Sequence, residues 1–301
     1  MTFADRLAGL VRARGSQIVL GLDPDPARLW PDAVAGAPAE GPPARRAAAA
    51  VRVHCAALID AAGPACVAVK PQLACFERLG ADGWAALAAT VEHAREAGLL
   101  VLADGKRGDI SVSAAAYAQA LAGSTPTPFG DVPGLRADAF TANPLLGVDA
   151  LAPLVDGARA AGAGVFVLVR TSNPGAADVE DLELADGRPL WERLAAIVAA
   201  LGERGSASGL ADVGAVVGAT RPEHIARMRE LMPRAPFLLP GIGAQGGRVE
   251  DLAPAWTPGR AGGLVSASRS IASAHEATGA APAAAARAEA ERLREAAWSL
   301  K

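Results

Sequence analysis

Eight short runs of apolar residues recur along the chain and are rich in Val, Leu and Ile. The runs are continuous rather than alternating, as is typical of parallel strands whose two faces are both covered. We therefore predict eight buried strands, at residues 17–23, 66–70, 99–104, 139–143, 164–170, 214–219, 236–241 and 263–268.

Alanine-rich segments with helical spacing separate these runs. Eight strand–helix units in 301 residues fit a (β/α)8 TIM barrel, an α/β fold built as one domain. A doubly wound open sheet is the alternative, but no GxGxxG motif follows the first strand, which makes that fold less favoured. We predict a single barrel domain over residues 1–301 that begins with an N-terminal helix. Further helices are predicted at 45–62, 82–97, 111–122, 149–161, 189–204, 222–232 and 281–298.

Three long loops interrupt the pattern. Residues 24–44 are rich in proline and residues 174–188 are acidic, and both segments follow predicted strands. In a barrel such loops lie at the carboxyl ends of the strands, where active sites are built. Residues 123–137 follow a helix instead, so we expect them at the opposite end, in a structural role.

Composition excludes several classes of protein. The net charge is −3, without the basic surplus of nucleic-acid-binding proteins, and no apolar run approaches the roughly 20 residues that a membrane helix needs. The first residues carry charges at Asp5 and Arg6 and do not resemble a signal peptide. The cysteines Cys55, Cys66 and Cys75 show no metal or disulfide spacing, which suits a reducing cytosol. We expect a cytoplasmic protein with neither nucleic-acid nor membrane partners.

Lysine is unusually scarce in this chain. Of 29 basic residues only Lys70, Lys106 and Lys301 are lysines, and the two internal ones end strand-like runs. Arginine holds its proton permanently in proteins, whereas lysine can release it. The placement therefore indicates that proton chemistry is needed at positions 70 and 106.

Polar residues collect where the predicted strands end. The stretch "DGKRGDI" at 104–110 places two acids and two bases directly after an apolar run. Taken singly these residues have ordinary interpretations, since Asp109 suits a helix N-cap and Asp23 a turn before Pro24. Their shared location instead predicts a site at one end of the barrel. The other strand-end residues are Lys70, Thr141, Asn143, Thr171, Ser172 and Asn173.

The last two predicted strands run into an expected anion site. Strand 7 leads into "PGIGAQGG" at 240–247, and strand 8 leads into "SASRS" at 266–270. In barrels of this kind, these two loops often bind phosphate through backbone N–H groups and a side-chain donor. Gln245 can donate through its amide and Arg269 through two guanidinium N–H groups.

No metal-binding pattern accompanies these residues. The four histidines, His54, His93, His224 and His275, fall in helical segments away from the strand ends. We interpret them as packing or solvated residues. The predicted site therefore works with lysines and carboxylates, without metal or cofactor.

Several of these motifs together resemble the orotidine 5′-phosphate decarboxylase family, and most closely its longer bacterial branch. "DGKRGDI" is similar to the family signature Asp-x-Lys-x-x-Asp. The related keto-gulonate-phosphate decarboxylases share that signature and use a metal, but the "KRGDI", "TSNP" and "GAQGG" stretches favour the orotidylate enzyme. The matching segments lie in the family's order: "LGLDPD" 20–25, "VAVKPQLACFERLG" 67–80, "TANPLLG" 141–147, "RTSNPG" 170–175, "PGIGAQGG" 240–247 and "SASRSI" 266–271.

The resemblance implies roles for individual residues. Lys70, Asp104, Lys106 and Asp109 would form a Lys–Asp–Lys–Asp network in which Asp109 reaches into the site of a partner subunit. The protein is therefore expected to be a homodimer with shared active sites. The implied substrate-binding residues are Asp23 and Ser113 at the ribose, Ser172 at the pyrimidine, Gln245 and Arg269 at the phosphate, and also Ile110 and Gly246.

Two positions depart from the family pattern, and one stays unassigned. Gly105 stands where alanine or a bulkier residue is usual, and Ser113 stands where threonine is usual. Neither change removes a charged group. Glu180 falls in the acidic loop, and the resemblance implies no role for it.

The implied reaction is decarboxylation of orotidine 5′-phosphate to UMP, the last step of de novo pyrimidine synthesis, without a cofactor. Lys106 would protonate the C6 carbanion. A metal-dependent sugar-phosphate lyase or epimerase on the same barrel is one alternative, and chelator would inactivate it. A non-catalytic nucleotide-binding protein is the other, although it would have no need of the lysine–aspartate quartet.

Overall fold

A computed structural model of the chain describes residues 1–203, 205–243 and 246–300. Eight parallel strands close into a barrel, in which each strand pairs with the next along the chain and the last pairs with the first. The predicted TIM barrel is therefore confirmed. Its strands are β1 Ile18–Leu22, β2 Ala68–Pro71, β3 Leu100–Arg107, β4 Ala139–Ala142, β5 Gly164–Arg170, β6 Val213–Val217, β7 Phe237–Leu239 and β8 Gly263–Ala267.

Helices connect these strands. Six helices predicted between strands and the one predicted after the last strand are present, within a few residues at each end. Four short helices of four or five residues went unpredicted because they hold too few turns to show periodicity. Within the described ranges, no helix is long and apolar enough to cross a bilayer. The helices are α1 Phe3–Arg14, α2 Pro31–Ala35, α3 Pro43–Ala62, α4 Leu73–Glu77, α5 Gly80–Glu96, α6 Ser111–Leu121, α7 Val148–Ala160, α8 Leu190–Leu201, α9 Pro222–Leu231, α10 Arg269–Ala272, α11 Ala274–Thr278 and α12 Pro282–Ser299.

The barrel strands contribute to two separate cores. Successive residues of a strand point to opposite faces, so Val19 lies in the cluster inside the barrel while Ile18 and Leu20 pack toward the helices. All five residues of β1 are buried. This double burial explains why the strands are continuous apolar runs in the sequence.

Helix α1 closes the amino-terminal end of the barrel. Phe3 enters the inner core, and its ring lies edge-on to Phe166 with centroids 6.0 Å apart. Arg6 donates to Asp138 Oδ1 at 2.7 Å and to the Gly162 carbonyl at 2.9 Å, which are both just before strands. The carboxyl end of the barrel is the end that remains for a ligand.

The long loops leave the barrel where the strand order requires. Residues 24–44 follow β1 and residues 174–188 follow β5, so both begin at the carboxyl end of a strand. Residues 123–137 follow α6 and contain a small antiparallel hairpin, in which Ser124–Thr125 pairs with Val132–Pro133.

A buried arginine ties together irregular segments on both sides of β7. Arg229 is 7% exposed, and its guanidinium carbon lies 3.7 Å from the centroid of the Phe237 ring. Burial lowers the pKa of Arg229 to about 9. Its guanidinium donates hydrogen bonds of 2.7–3.0 Å to the carbonyl oxygens of Met232, Ala235, Ala255 and Gly262. Arg229 thereby satisfies backbone acceptors in segments that have no regular secondary structure.

Candidate active site

A cavity of about 340 Å³ opens at the carboxyl ends of the strands. The predicted strand-end residues meet there, because parallel strands of a barrel end on one face. Six of the predicted site residues line it: Asp23, Lys70, Asp104, Lys106, Ser172 and Arg269. Thr141, Thr171 and Asn173, which the sequence also placed at strand ends, line it as well.

Asp104 lies at the centre of the charged groups. Its Oδ2 accepts a hydrogen bond from Lys70 Nζ at 2.7 Å, and its Oδ1 accepts one from Lys106 Nζ at 2.7 Å. Asp104 and Lys70 are 5% and 6% exposed, so this pair is buried. Lys70 Nζ also lies 3.9 Å from Asp23 Oδ1. The ammonium groups of Lys70 and Lys106 thus share the buried carboxylate of Asp104, and the carboxylate of Asp23 lies farther from Lys70.

Neutral side chains complete the hydrogen bonding of Asp104. Thr141 Oγ1 donates to Oδ1 at 2.9 Å, and Gln72 Nε2 donates to Oδ2 at 3.2 Å. Sequence reasoning placed Thr141 at the site but assigned it no partner, and it did not single out Gln72. The signal for Gln72 was its position two residues after Lys70, immediately beyond β2.

Lys106 has an uncommon backbone conformation. Its φ is +47°, which lies in the left-handed region that side-chain-bearing residues seldom occupy. Its N–H donates to Thr141 Oγ1 at 2.8 Å, and the pairing of β3 with β4 shifts register between Ala103 and Arg107. Strand β3 therefore continues through "DGKR", three residues beyond the predicted end, with an irregularity that carries Lys106. Such strain persists where the surroundings impose it, often at functional sites.

The charges of the cluster stabilise one another. Burial by itself would raise the pKa of Asp104, but the Lys70 and Lys106 ammonium groups outweigh it and hold that pKa far below its usual range. Burial likewise acts to lower the pKa of Lys70, and the carboxylates of Asp104 and Asp23 reverse this, so the net pKa lies above the usual value for lysine. Lys70 is therefore an ammonium and Asp104 a carboxylate at neutral pH.

The other end of the cavity carries the predicted anion site. Arg269 is the first residue of α10 and lines the cavity on the β8 side. Gly21 of β1 allows this arrangement, since a Cβ there would lie 1.8 Å from Ser268 Oγ. Gly246 N–H donates to the Gly243 carbonyl at 2.9 Å within the glycine-rich loop. Gln245 lies outside the described residues.

Comparison with known proteins assigns the chain to a family. The model of the family described as Orotidine 5′-phosphate decarboxylase / HUMPS matches residues 16–284. The chain belongs to this family. A protein named orotidine 5′-phosphate decarboxylase from Rhodopirellula baltica is 41% identical over 283 residues, which cover 92% of this chain and 90% of the relative. One from Deinococcus radiodurans is 43% identical over 272 residues, covering 90% and 89%.

Solved structures agree with this assignment. The structure of Leishmania donovani OMP decarboxylase is 33% identical, has a TM-score of 0.72 and covers 99% of this chain and 100% of its own. The resemblance based on the sequence motifs is confirmed. With relatives of this name over most of its length, we class the chain as a carboxy-lyase of the family.

Four described residues that the family resemblance implied do not line the cavity, and Gly246 of the glycine-rich loop is one of them. The other three are Asp109, Ile110 and Ser113. Asp109 follows the end of β3, and its Oδ1 accepts the Ile110 N–H at 2.8 Å. Helix α6 begins at Ser111 and has no side-chain cap. The structure of one chain therefore gives Asp109 neither a cavity position nor the N-cap role.

Gly105, which departs from the family pattern, lies in a crowded position. A Cβ at residue 105 would lie 2.7 Å from Leu73 Cδ1 and 3.2 Å from Arg107 Nε. Leu73 is fully buried. Glycine thus lets Leu73 pack directly against the backbone between Asp104 and Lys106.

Among the residues that the structure describes, no cluster of three or more His, Cys, Asp or Glu side chains is arranged to hold a metal ion. His54, which the sequence placed away from the site, borders a smaller cavity beside Asp23. Its Nδ1 accepts the Trp30 N–H at 3.2 Å, so it has the packing role predicted for it.

Proposed function

We propose that the chain decarboxylates orotidine 5′-phosphate to UMP without a cofactor, with Lys106 as the proton donor. The observation that carries this proposal is the pair of 2.7 Å hydrogen bonds by which Asp104 holds Lys70 and Lys106 at the mouth of the barrel. Family membership supports the same reaction, since the relatives from Rhodopirellula baltica and Deinococcus radiodurans carry the name of this enzyme.

The reaction explains why the site carries a lysine at position 106. Loss of CO₂ from C6 of the pyrimidine leaves a carbanion in the plane of the ring, poorly delocalised by the π system. An ammonium fixed beside C6 stabilises this developing charge and then supplies a proton. Both lysines line the cavity, but the Lys106 side chain is 43% exposed whereas Lys70 is 6% exposed. Lys106 is thus the accessible donor, and Lys70 holds Asp104 in place.

Asp104 has two effects in this mechanism. It fixes the Lys106 ammonium, and its negative charge would lie near the carboxylate of the substrate. That repulsion is relieved as CO₂ departs. We assign the larger share of the rate enhancement to preorganised electrostatics, because Asp104, Lys106 and Thr141 fix one another by hydrogen bonds within the protein.

Groups remote from C6 would bind the rest of the nucleotide. Arg269 and the glycine-rich loop suit the phosphate, Asp23 suits the ribose hydroxyls, and Ser172 suits the pyrimidine. Binding energy from the phosphate would hold the reacting end in place.

A homodimer with shared sites is part of the proposal. Asp109 lies outside its own cavity and beside an exposed apolar rim. The rim consists of Ile110 at 56% exposure, Val112 at 83%, Leu145 at 64%, Leu146 at 53% and Val148 at 47%. Exposed apolar clusters of this kind mark protein–protein contacts. A two-fold dimer through this rim would bury it and bring Asp109 toward the partner's cavity.

The proposal is tested by following the ultraviolet absorbance of orotidine 5′-phosphate with purified protein, in the presence and absence of chelator. Loss of absorbance that chelator does not affect supports it. Activity that chelator abolishes would favour a metal-dependent enzyme, and UMP binding without turnover would favour a non-catalytic nucleotide-binding protein.

A further inference from the structure

The cavity wall formed by Thr171–Asn173 lies beyond the regular sheet. The pairing of β5 with β6 ends at Arg170 and Val217, after a register shift that begins at Leu168. The last backbone hydrogen bond across these strands runs from Gly218 N–H to the Arg170 carbonyl, at 2.7 Å. The position of this wall must therefore be determined largely by side chains.

Both peptide groups of Thr171 are held by charged side chains. Its N–H donates to Glu180 Oε2 at 2.9 Å, and its carbonyl accepts from Arg170 Nη1 at 2.6 Å. Arg170 is 4% exposed and makes two further hydrogen bonds to Asp181, at 2.8 Å and 2.9 Å. Arg170, Glu180 and Asp181 thus form a clamp around one residue of the cavity wall, with the buried Arg170 at its centre.

The clamp also reaches the Thr171 side chain. Thr171 Oγ1 lies 2.7 Å from Asn173 Oδ1 and 3.2 Å from each carboxylate oxygen of Glu180. A hydroxyl has one hydrogen, so these acceptors compete for it. The carboxylate of Glu180 therefore influences the orientation of both Thr171 and Asn173, which line the cavity.

Glu180 is itself firmly placed in the loop after β5. Its N–H donates to the Ala176 carbonyl at 2.8 Å, its carbonyl accepts from Trp191 N–H at 2.9 Å, and its side chain is only 15% exposed. Burial is the main reason that the pKa of Glu180 lies above its ordinary value. A carboxylate in a solvated loop would not lose hydration in this way. The burial of Glu180 therefore indicates that its contacts with Thr171 matter to the structure.

We propose that Glu180 is a positioning residue that fixes Thr171, Ser172 and Asn173 against the base of the bound nucleotide. This deepens the proposed function and rests on it. Glu180 lies behind the wall rather than in the cavity, so it acts through Thr171. The proposal leaves the phosphate end unaffected, because Arg269 is the first residue of α10 and makes no hydrogen bond to Arg170, Glu180 or Asp181 among those that hold Thr171.

The test compares ligands with and without a base. Binding of UMP and of ribose 5-phosphate is measured by calorimetry on the full chain and on Glu180→Ala, Glu180→Met and Glu180→Gln. Glu180→Ala and Glu180→Met should weaken UMP binding by about tenfold or more, the effect of losing a hydrogen bond to a charged group, and leave ribose 5-phosphate unchanged. Glu180→Gln should bind UMP almost as well as the wild type, because its amide oxygen still accepts the Thr171 N–H. Glu183→Gln, an exposed acid of the same loop, is the matched control and should change neither ligand.

The outcomes separate this inference from the proposed function. Unchanged UMP affinity in Glu180→Ala, equal weakening of both ligands, or failure of both Glu180→Ala and Glu180→Met to fold would overturn the positioning role. The reaction would be overturned and the positioning role kept if the wild-type chain binds UMP without decarboxylating orotidine 5′-phosphate while Glu180→Ala and Glu180→Met selectively lose UMP binding. A wild-type chain that does not bind UMP would overturn both.

Discussion

Lys106 is tied to one oxygen of Asp104 in two ways, directly through its ammonium and indirectly through its backbone N–H and Thr141. The ammonium donates to Asp104 Oδ1 at 2.7 Å, while the N–H donates to Thr141 Oγ1, which in turn donates to the same Oδ1 at 2.9 Å. This ring orients the side chain of Lys106 from two directions. It also accounts for the left-handed backbone at Lys106, because the turn brings N–H and Nζ toward the same acceptor pair.

The proton donor is tested by replacing Lys106. Lys106→Ala should remove turnover and leave UMP binding largely intact, because the phosphate and ribose contacts lie elsewhere. Lys106→Arg keeps the positive charge, but a guanidinium does not release its protons in a protein, so kcat should fall by about 10²–10⁴-fold, the usual contribution of general acid catalysis. Steady-state kinetics and UMP titration measure both effects. Substantial activity in Lys106→Arg, with folding checked by circular dichroism, would contradict the assignment.

The phosphate contact is tested at Arg269. Arg269→Ala should lower kcat/KM for orotidine 5′-phosphate, because a charge-assisted hydrogen bond is lost. The loss should correspond to a rise of about 2–3 kcal/mol in the activation free energy. The same variant should scarcely change the reaction of orotidine, which has no phosphate. If kcat/KM falls equally for orotidine 5′-phosphate and orotidine, Arg269 does not bind the phosphate.

The shared site is tested by mixing two inactive variants. Asp109→Asn and Lys106→Ala chains are unfolded together and allowed to re-associate. In a shared-site dimer, each mixed dimer has one site with both residues intact, so random re-association should restore roughly a quarter of wild-type activity. If Asp109 acts only within its own chain, every site carries one lesion and no activity returns. Differently tagged chains confirm that mixed dimers form.

The charged cluster predicts a pH-dependent stability difference. Asp104→Asn should lower the free energy of unfolding at pH 7 by up to about 3 kcal/mol, because two ammonium groups lose their shared carboxylate. The pKa of Asp104 is depressed in the folded state, so its stabilisation is present above the unfolded-state pKa of about 3.9 and is lost as pH falls through the still lower folded-state pKa.

Urea unfolding of wild type and Asp104→Asn over a series of pH values measures this difference. It should stay constant between about pH 8 and 5 and shrink below about pH 4. A difference that stays unchanged as pH falls well below 4 would show that the Asp104 carboxylate is not responsible.

Much of the fold was predictable because it depends on regular burial. Every residue of β1 is covered on one face by the inner core and on the other by helices, so the strand is a continuous apolar run in the sequence. Parallel strands also share a direction, so placing Lys70, Asp104 and Thr141 at strand ends sufficed to bring them to one face. The segment between β7 and β8 was harder to predict, since Arg229 satisfies the carbonyls of Ala255 and Gly262 in place of a regular helix.

The sequence alone determined which side chains the site contains, because scarce lysines and strand-end polar residues are visible without coordinates. Only the tertiary structure decided how they are paired. Asp104 binds both Lys70 and Lys106, and Thr141 completes that ring of hydrogen bonds, while Glu180 holds Thr171. These pairings depend on contacts between residues 9–37 positions apart or on a left-handed turn at Lys106. Such contacts follow from packing in three dimensions, and the order of residues along the chain carries no record of the distances.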